Sequence, residues 1–173
     1  LTQNLNGEFE HSLAWVLDRC ASAMGSRLLR RWLHQPLRDR VTLLRRQEAV
    51  HELQQNYRFE PLREILRDVG DVERILARVA LKSARPRDLS RLRDTLALLP
   101  QLQADLRALQ TPHVQDIAKN ISEYPALVDL LTRAIIESPP VVMRDGGVIA
   151  EGFDAELDEL RALSANAGDY LLQ

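Results

Sequence analysis

Seven leucines between residues 89 and 109 recur at intervals of three or four positions, and this pattern constrains the fold more than any other feature. They are Leu89, Leu92, Leu96, Leu99, Leu102, Leu106 and Leu109. The spacing predicts a long helix whose leucine face packs at a shallow angle against a neighbouring helix. Pro86 is expected at a first helical position, and Thr111-Pro112 is expected to end the pattern. Pro100 lies inside it and predicts a kink or a division of the helix.

Capping residues and prolines predict further helices on both sides of the leucine pattern. Ser22 and Asp39 are placed to cap helices that end before Pro36 and near Tyr57. A helix is expected to begin at Pro61, and another follows Gly70-Asp71, where an apolar stripe runs along Val72, Ile75, Leu76, Val79 and Ala80. Three more are expected from Val114 to Ile121, from Pro125 to Ile136, and after a cap at Asp154.

The apolar residues of the first two firm helices are expected to face the core. On the second helix these residues are Leu43, Leu44, Val50 and Leu53. Trp32 is expected to be mostly buried between the first two helices and the leucine face. A change of Trp32 to alanine would then cost about 3–5 kcal/mol, as a large-to-small change in a core does.

The fold class that these patterns predict is all-α, a multi-helix bundle with long packed helices, over one domain at residues 1–173. Aromatic residues make up 5% of the chain, which favours helix packing over a sheet sandwich. One small β-hairpin is expected at 141–150, because Val141-Val142-Met143 and Val148-Ile149-Ala150 flank Arg144-Asp145-Gly146-Gly147.

The net charge of −2 hides an uneven distribution. Residues 24–93 hold 17 basic and 9 acidic side chains, so this segment is strongly positive. A basic segment can indicate nucleic-acid binding. Its charges, however, alternate with carboxylates at helical spacing, and its aromatic residues are only Trp32, Tyr57 and Phe59. Solvated helix faces are therefore the favoured interpretation, with direct nucleic-acid contact as the alternative.

No motif for catalysis, cofactor binding or metal binding is present, and no such site residues are predicted. Phosphate-binding glycine loops are missing, and the histidines at 11, 34, 51 and 113 are scattered. Cys20 is interpreted as a small buried hydrophobe. The acidic residues Glu151, Asp154, Glu156, Asp158 and Glu159 do not follow calcium-loop spacing, and the helix dipole explains their position.

The turn from Arg85 to Leu89 is the most suggestive polar feature. Arg85 and Arg87 could reach carboxylates or phosphates of a partner. Alternatively, the turn simply begins a helix, with Asp88 in its first turn and the arginines solvated or paired locally.

Three blocks in order resemble the core, or lever, domain of the bacterial MutS family of DNA mismatch-repair proteins. They are the segment from Met24-Gly25 through Trp32 to Pro36-Leu37, the segment from Gly70-Asp71 to Asp88-Leu89, and the segment from Pro139 to Ile149 with Gly152-Phe153 and Glu156 to Leu160 after it. Cys20 and Ser22 stand where the family usually has threonine. The family's Phe-x-Glu mismatch-reading segment and P-loop are not in this sequence.

The resemblance implies a non-catalytic fragment, the first half of a lever domain, that couples a DNA clamp to an ATPase. It also implies partners: clamp, ATPase and connector domains of the same chain, mismatched double-stranded DNA through those domains, a MutL-like protein, and a second copy in a homodimer. ATP and Mg²⁺ would bind the ATPase domain, so no cofactor is expected here. The protein would be cytoplasmic, since no apolar run is long enough for a bilayer and no signal peptide opens the chain. The chain begins with Leu1 and its last helical pattern runs to Gln173, so an excised piece is expected.

Two other functions remain as alternatives. One is a free-standing helical module for protein–protein interaction, with exposed arginine-rich faces. The other is an unrecognised hydrolase that uses the carboxylates at 151–159, which no motif supports.

Overall fold

The computed structural model describes residues 1–141, 144 and 146–171, with backbone alone for 165–171. Helices account for the regular structure of these residues. Their bounds are α1 Leu13–Leu17, α2 Ala23–His34, α3 Arg40–Gln54, a 3₁₀ turn Gln55–Tyr57, α4 Phe59–Asp68, α5 Val72–Ala80, α6 Pro86–Arg107, α7 Pro112–Asn120, α8 Pro125–Ala134 and α9 Ala155–Leu171. The prediction of an all-α bundle is confirmed.

Side-chain caps fix several helix starts where the sequence predicts them. The Ser22 hydroxyl accepts from the Gly25 N–H, and the Asp39 carboxylate accepts from the Val41 and Thr42 N–H groups. Asp154 accepts from the Leu157 N–H at 2.9 Å, just ahead of α9. These caps satisfy N–H groups that have no partner within the helix. Two starts differ, because α4 begins at Phe59 and α7 at Pro112, each two residues before the expected Pro61 and Val114.

Helix α6 is the central element, and two separate groups of buried apolar residues form along it. The first core cluster comprises Ile75 of α5, Leu92 and Leu96 of α6, and Leu131, Ala134 and Ile135 at the end of α8. The second core cluster comprises Ala49 of α3, Leu62 of α4, Leu102 and Leu109 in and just after α6, and Val114 of α7. The predicted leucine face is therefore the shared wall of both clusters. Pro100 lies between them without dividing α6, which is continuous through it.

The expected β-hairpin at 141–150 is not supported. Ile149 instead forms an isolated antiparallel bridge with Ile135, just after α8. Around this bridge the Ile136 N–H donates to Val148 O at 3.1 Å and the Ala150 N–H donates to Ala134 O at 2.9 Å. Pairing with the end of α8 lets Val148 and Ile149 pack on the first core cluster, which a local hairpin would not require. Val142, Met143 and Asp145 of the expected hairpin lie outside the described residues.

Several apolar residues expected in the core are exposed. Trp32 is 42% exposed, and α2 contains no buried residue. Leu43, Leu44 and Val50 of α3 are exposed too, whereas Leu53 packs on the second core cluster. The buried face of α3 instead carries Ala49 and Glu52, so the helix is turned away from the orientation that its leucines predict.

Candidate coupling and interaction surfaces

The turn at Arg85 begins α6 through contacts within the chain. The Asp88 carboxylate accepts from the Arg85 N–H at 2.9 Å and pairs with Arg78 of α5. Burial would raise the pKa of Asp88, but the Arg85 N–H and the Arg78 guanidinium together hold that pKa below its ordinary value. Asp88 is thus an ionised anchor between α5 and α6, as the structural interpretation of this turn expects.

Two arginines of α6 hold the chain that leaves α8. Arg87 Nε donates to Pro139 O at 3.1 Å, and Arg93 Nη1 donates to Ile135 O at 3.2 Å. The side chain of Arg93 is only 12% exposed. Both guanidinium groups bind main-chain carbonyls, so Arg87 is engaged inside the domain and is not held out towards a partner.

A charged cleft of about 490 Å³ lies between α5, the start of α6 and residues 137–139. Its charged lining comprises Asp71, Arg74, Arg78, Arg87, Asp88, Arg91, Asp94 and Glu137. Basic and acidic side chains are equally numerous there, and several are paired with each other. The cleft therefore has no net charge that selects an anion or a cation, and no nucleophile beside a base stands in it.

A bidentate ion pair joins α2 to the start of α5. The Arg27 guanidinium donates to both carboxylate oxygens of Asp71, at 2.7 and 2.6 Å, and to Glu73 at 2.7 Å. Arg27 holds the pKa of Asp71 below its ordinary value, and the same contacts raise the pKa of Arg27. Asp71 also caps α5 by accepting from the Arg74 N–H. No residue of α2 is fully buried, so this fork is a strong polar attachment of α2 to the rest of the bundle.

Glu52 connects α3 to the turn between α6 and α7. Its carboxylate is nearly buried and accepts from the Gln110 N–H at 2.6 Å and the Thr111 N–H at 2.8 Å. Arg58 adds an ion pair at 3.3 Å. Burial would raise the pKa of Glu52, but these donors hold that pKa below its ordinary value. The ionised carboxylate of Glu52 therefore holds α3 against the turn between α6 and α7.

Buried neutral polar groups make two further ties to α6. Gln103 Nε2 donates to Ala118 O at 2.9 Å and to Ile121 O at 2.6 Å, which fixes the end of α7. The Gly70 N–H donates to Thr95 Oγ1 at 2.8 Å. A Cβ at Gly70 would lie 3.0 Å from that hydroxyl oxygen, so glycine allows the close approach of this turn to α6.

An apolar cleft, also about 490 Å³, runs along the exposed side of the leucine face. It is lined by residues of α4, α5, α6 and α8, among them Leu66, Val72, Leu76, Leu92, Leu99 and Leu102. The lining is almost entirely apolar, so the cleft has little to orient a polar ligand.

The basic segment presents apolar and aromatic side chains beside its arginines. Arg46 of α3 stacks over the Trp32 ring, 3.9 Å from its centroid, and Arg30 lies 4.4 Å from the Phe9 centroid. The stack with Arg46 covers one face of the indole. Tyr57 is 67% exposed, in a turn where it and Asn56 adopt positive φ. These rings are dispersed over the surface and form no continuous platform for bases.

The remaining sequence candidates do not come together. Asp154 and Asp158 act locally, because Asp158 accepts from the Gly152 N–H at 2.7 Å and pairs with Arg161. Cys20 is exposed, contrary to the expectation of a buried thiol, and partial burial and the Asp18 carboxylate raise its pKa. Within residues 1–141, 144 and 146–171, no three His, Cys, Asp or Glu side chains are grouped to hold a metal ion. None of the helices in the described part of the chain combines the length and apolar character that crossing a bilayer requires.

Arg27, Glu52, Arg93 and Gln103 are the structurally decisive polar residues that sequence reasoning does not identify. Each binds a group at least 15 positions away in the chain. For Glu52 a signal exists, since it lies between the apolar residues Ala49 and Leu53 on one helical face.

A family model described as MutS domain III matches residues 1–172. The matched residues include all the hydrogen bonds, ion pairs and clefts described above.

Proposed function

Since the chain belongs to the MutS family of DNA mismatch-repair proteins, as its core or lever domain, we propose that it couples DNA binding to ATP use within a larger protein. The resemblance carried by the three sequence blocks is confirmed by the domain III match. The proposed role is mechanical and non-catalytic: this domain links a clamp that grips mismatched DNA to an ATPase that binds ATP and Mg²⁺.

The proposed partners follow from that role. They are the clamp, connector and ATPase domains of the same protein, mismatched duplex DNA held by those domains, a MutL-like protein, and a second copy in a homodimer. The proposed setting is the bacterial cytoplasm.

The observation that carries the proposal is the continuity of α6. Its 22 residues span about 33 Å and form a wall of both core clusters. Close-packed interiors transmit strain instead of absorbing it. Coupling between DNA and nucleotide requires two arrangements of such an element that the two ligands favour differently.

The Arg27 fork offers a direct test in the intact protein. Arg27→Gln removes the attachment of α2 to Asp71 while leaving every buried apolar contact in place. The proposal expects normal ATP hydrolysis without DNA and retained duplex binding. It also expects the effect of a mismatched duplex on ATP hydrolysis to fall about fivefold or more, which is the lower range of allosteric coupling.

Arg31→Gln is the matched control, since Arg31 is an exposed arginine of the same helix. It should leave the response to mismatched DNA intact. Equal responses from the two variants would argue against transmission through the attachment of α2.

A helical protein–protein interaction module is the second candidate, favoured by the exposed apolar side chains of α2 and α3. Replacement of the equivalent segment in a MutS-family protein separates the two ideas, with DNA-binding and ATPase measurements on the 173-residue chain beside it. The lever proposal expects weak DNA binding without mismatch preference and no ATP hydrolysis by the chain alone, together with restored function when the chain replaces the corresponding first part of domain III in a MutS-family protein. An interaction module would not restore it.

A further inference from the structure

The two core clusters divide the bundle into two bodies along α6. Body A contains α5, the first half of α6 and α8, packed around the first core cluster. Body B contains α3, α4, the second half of α6 and α7, packed around the second core cluster. The last buried leucine of α6 in body A is Leu96, and the first in body B is Leu102. Between Leu96 and Leu102, α6 therefore changes from packing in body A to packing in body B.

The strong polar ties lie within each body. Arg93 binds the carbonyl that follows α8, inside body A. Glu52 binds the turn after α6, and Gln103 binds the end of α7, both inside body B. Each body is thus fastened internally by charged or buried hydrogen bonds, which keeps it rigid on its own.

The chain passes between the bodies at three places. These are the turn 69–71 between α4 and α5, the segment 121–124 between α7 and α8, and the middle of α6. Two of the three are short non-helical connections, and each is tied to one body only, Gly70 to Thr95 of body A and Ile121 to Gln103 of body B. In the described part of the chain, α6 alone passes from one body to the other as a continuous helix, so its stiffness at the crossing limits how freely the bodies move. Helix α2 also touches both bodies, body A through the Arg27 fork and body B through the stack of Arg46 on Trp32.

Pro100 lies at that crossing. It has no N–H group, so the carbonyl of Leu96 lacks the donor that an ordinary helix would supply, and the proline ring crowds that carbonyl. A helix bends most readily at such a position. Pro100 is exposed, so its ring contributes no buried packing that would explain its presence.

The apolar cleft gives the two bodies room to move. Val72 and Leu76 of body A line one part of it, and Leu66 and Leu102 of body B line another. A close-packed junction would resist relative motion, because filled interiors have low compressibility. The open cleft of about 490 Å³ leaves part of the facing surfaces without such packing, which lowers that resistance.

We infer that Pro100 is a built-in joint about which bodies A and B rock, opening and closing the apolar cleft between them. Each body moves as a rigid unit, and the bending is concentrated between Leu96 and Leu102. The joint is a property of this fold and does not depend on the proposed coupling to ATP.

Spin-label distances in the intact protein test the joint. With Cys20 and any cysteine outside residues 1–173 changed to serine, labels at the exposed positions Glu48 and Thr132 report the distance between the bodies. Labels at Glu48 and Lys119 report body B alone, and labels at Ala77 and Thr132 report body A alone. If the joint exists, the distances between the labels at Glu48 and Thr132 should be broadly distributed, and the distances within each of the other two pairs should be narrowly distributed.

Pro100→Ala supplies the missing N–H. It should narrow the distribution of distances between bodies A and B to the width found for the label pairs within one body. Amides at 101–103, which are present in both proteins, should also exchange with solvent about tenfold more slowly, as expected when one hydrogen bond of ordinary strength is added next to them. Pro112→Ala is the matched control, because a proline at the start of α7 removes no helical hydrogen bond. It should change neither readout.

Two results would overturn the inference. One is a narrow inter-body distribution in the unaltered protein. The other is a broad distribution that Pro100→Ala leaves unchanged, since the flexibility would then lie elsewhere. Pro100→Ala removes no buried contact and is expected to fold, so both results are interpretable.

Discussion

At the scale of single residues, Trp32 shows how a local pattern can mislead about burial. Its half-exposed ring is covered on one side by Arg46, and no buried side chain belongs to its helix. Partial burial and a cation–π contact at an exposed site are together worth about 2 kcal/mol. Trp32→Ala is therefore expected to lower the free energy of unfolding by about 2 kcal/mol, below the 3–5 kcal/mol predicted for a core position.

Denaturant unfolding measures this cost, with Leu96→Ala as the comparison. Leu96 is 8% exposed within the first core cluster, and its removal should cost about 3 kcal/mol. A larger loss from Trp32→Ala than from Leu96→Ala would contradict the exposed position of the indole.

At the scale of elements, helix starts are predictable and helix orientations are less so. Ser22 and Asp39 act on N–H groups two or three residues ahead, so the information for each cap is local. The orientation of α3 depends instead on the hydrogen bond that the Glu52 carboxylate accepts from the Gln110 N–H, 58 positions away in the chain. The pairing of Val148 and Ile149 with the end of α8 is equally non-local, which is why a short-range hairpin signal failed there.

Glu52→Gln is the test at this scale. A glutamine can accept one of the two backbone N–H groups, but its NH₂ would face the other and leave a buried donor without a partner. We expect a loss of about 2 kcal/mol in the free energy of unfolding. Glu48→Gln, at an exposed position of α3, should change stability by less than about 0.5 kcal/mol. Equal effects would show that the carboxylate does not fasten α3 to the turn.

At the scale of the whole molecule, ionised carboxylates stabilise the bundle. Among the side chains that the structure describes, five carboxylates have pKa values below the ordinary 3.8 of aspartate or 4.5 of glutamate: Asp18, Asp39, Glu52, Asp71 and Asp88. A group whose pKa is lower in the folded protein binds fewer protons there than in the unfolded chain. Its stabilising contribution is complete above the unfolded pKa and is lost as the pH falls through the folded pKa.

The free energy of unfolding should therefore be level above about pH 6 with respect to these groups and decrease steadily below about pH 5. Chemical unfolding at a series of pH values measures it. Glu52→Gln should flatten part of the acid decrease, because one shifted group has been removed. Stability that rises on acidification over this range would contradict the assigned shifts.

The sequence predicts the parts of this molecule that depend on neighbours in the chain, namely the helices, most of their caps and the leucine face of α6. It also carries the family, through three separated blocks. It does not reveal the division of the leucine face between two core clusters, because adjacent leucines such as Leu99 and Leu102 look alike in a periodic pattern. Nor does it reveal the Arg27 fork, since Asp71 is 44 positions away.

Gln103 binds two carbonyl oxygens, and a carbonyl is present whatever side chain the residue carries. This bond therefore places no restriction on the side chains at positions 118 and 121. The amide at position 103 has no such freedom. What limits the side chains at 118 and 121 is packing and not this bond, because Ala118 is buried and Ile121 packs on the second core cluster.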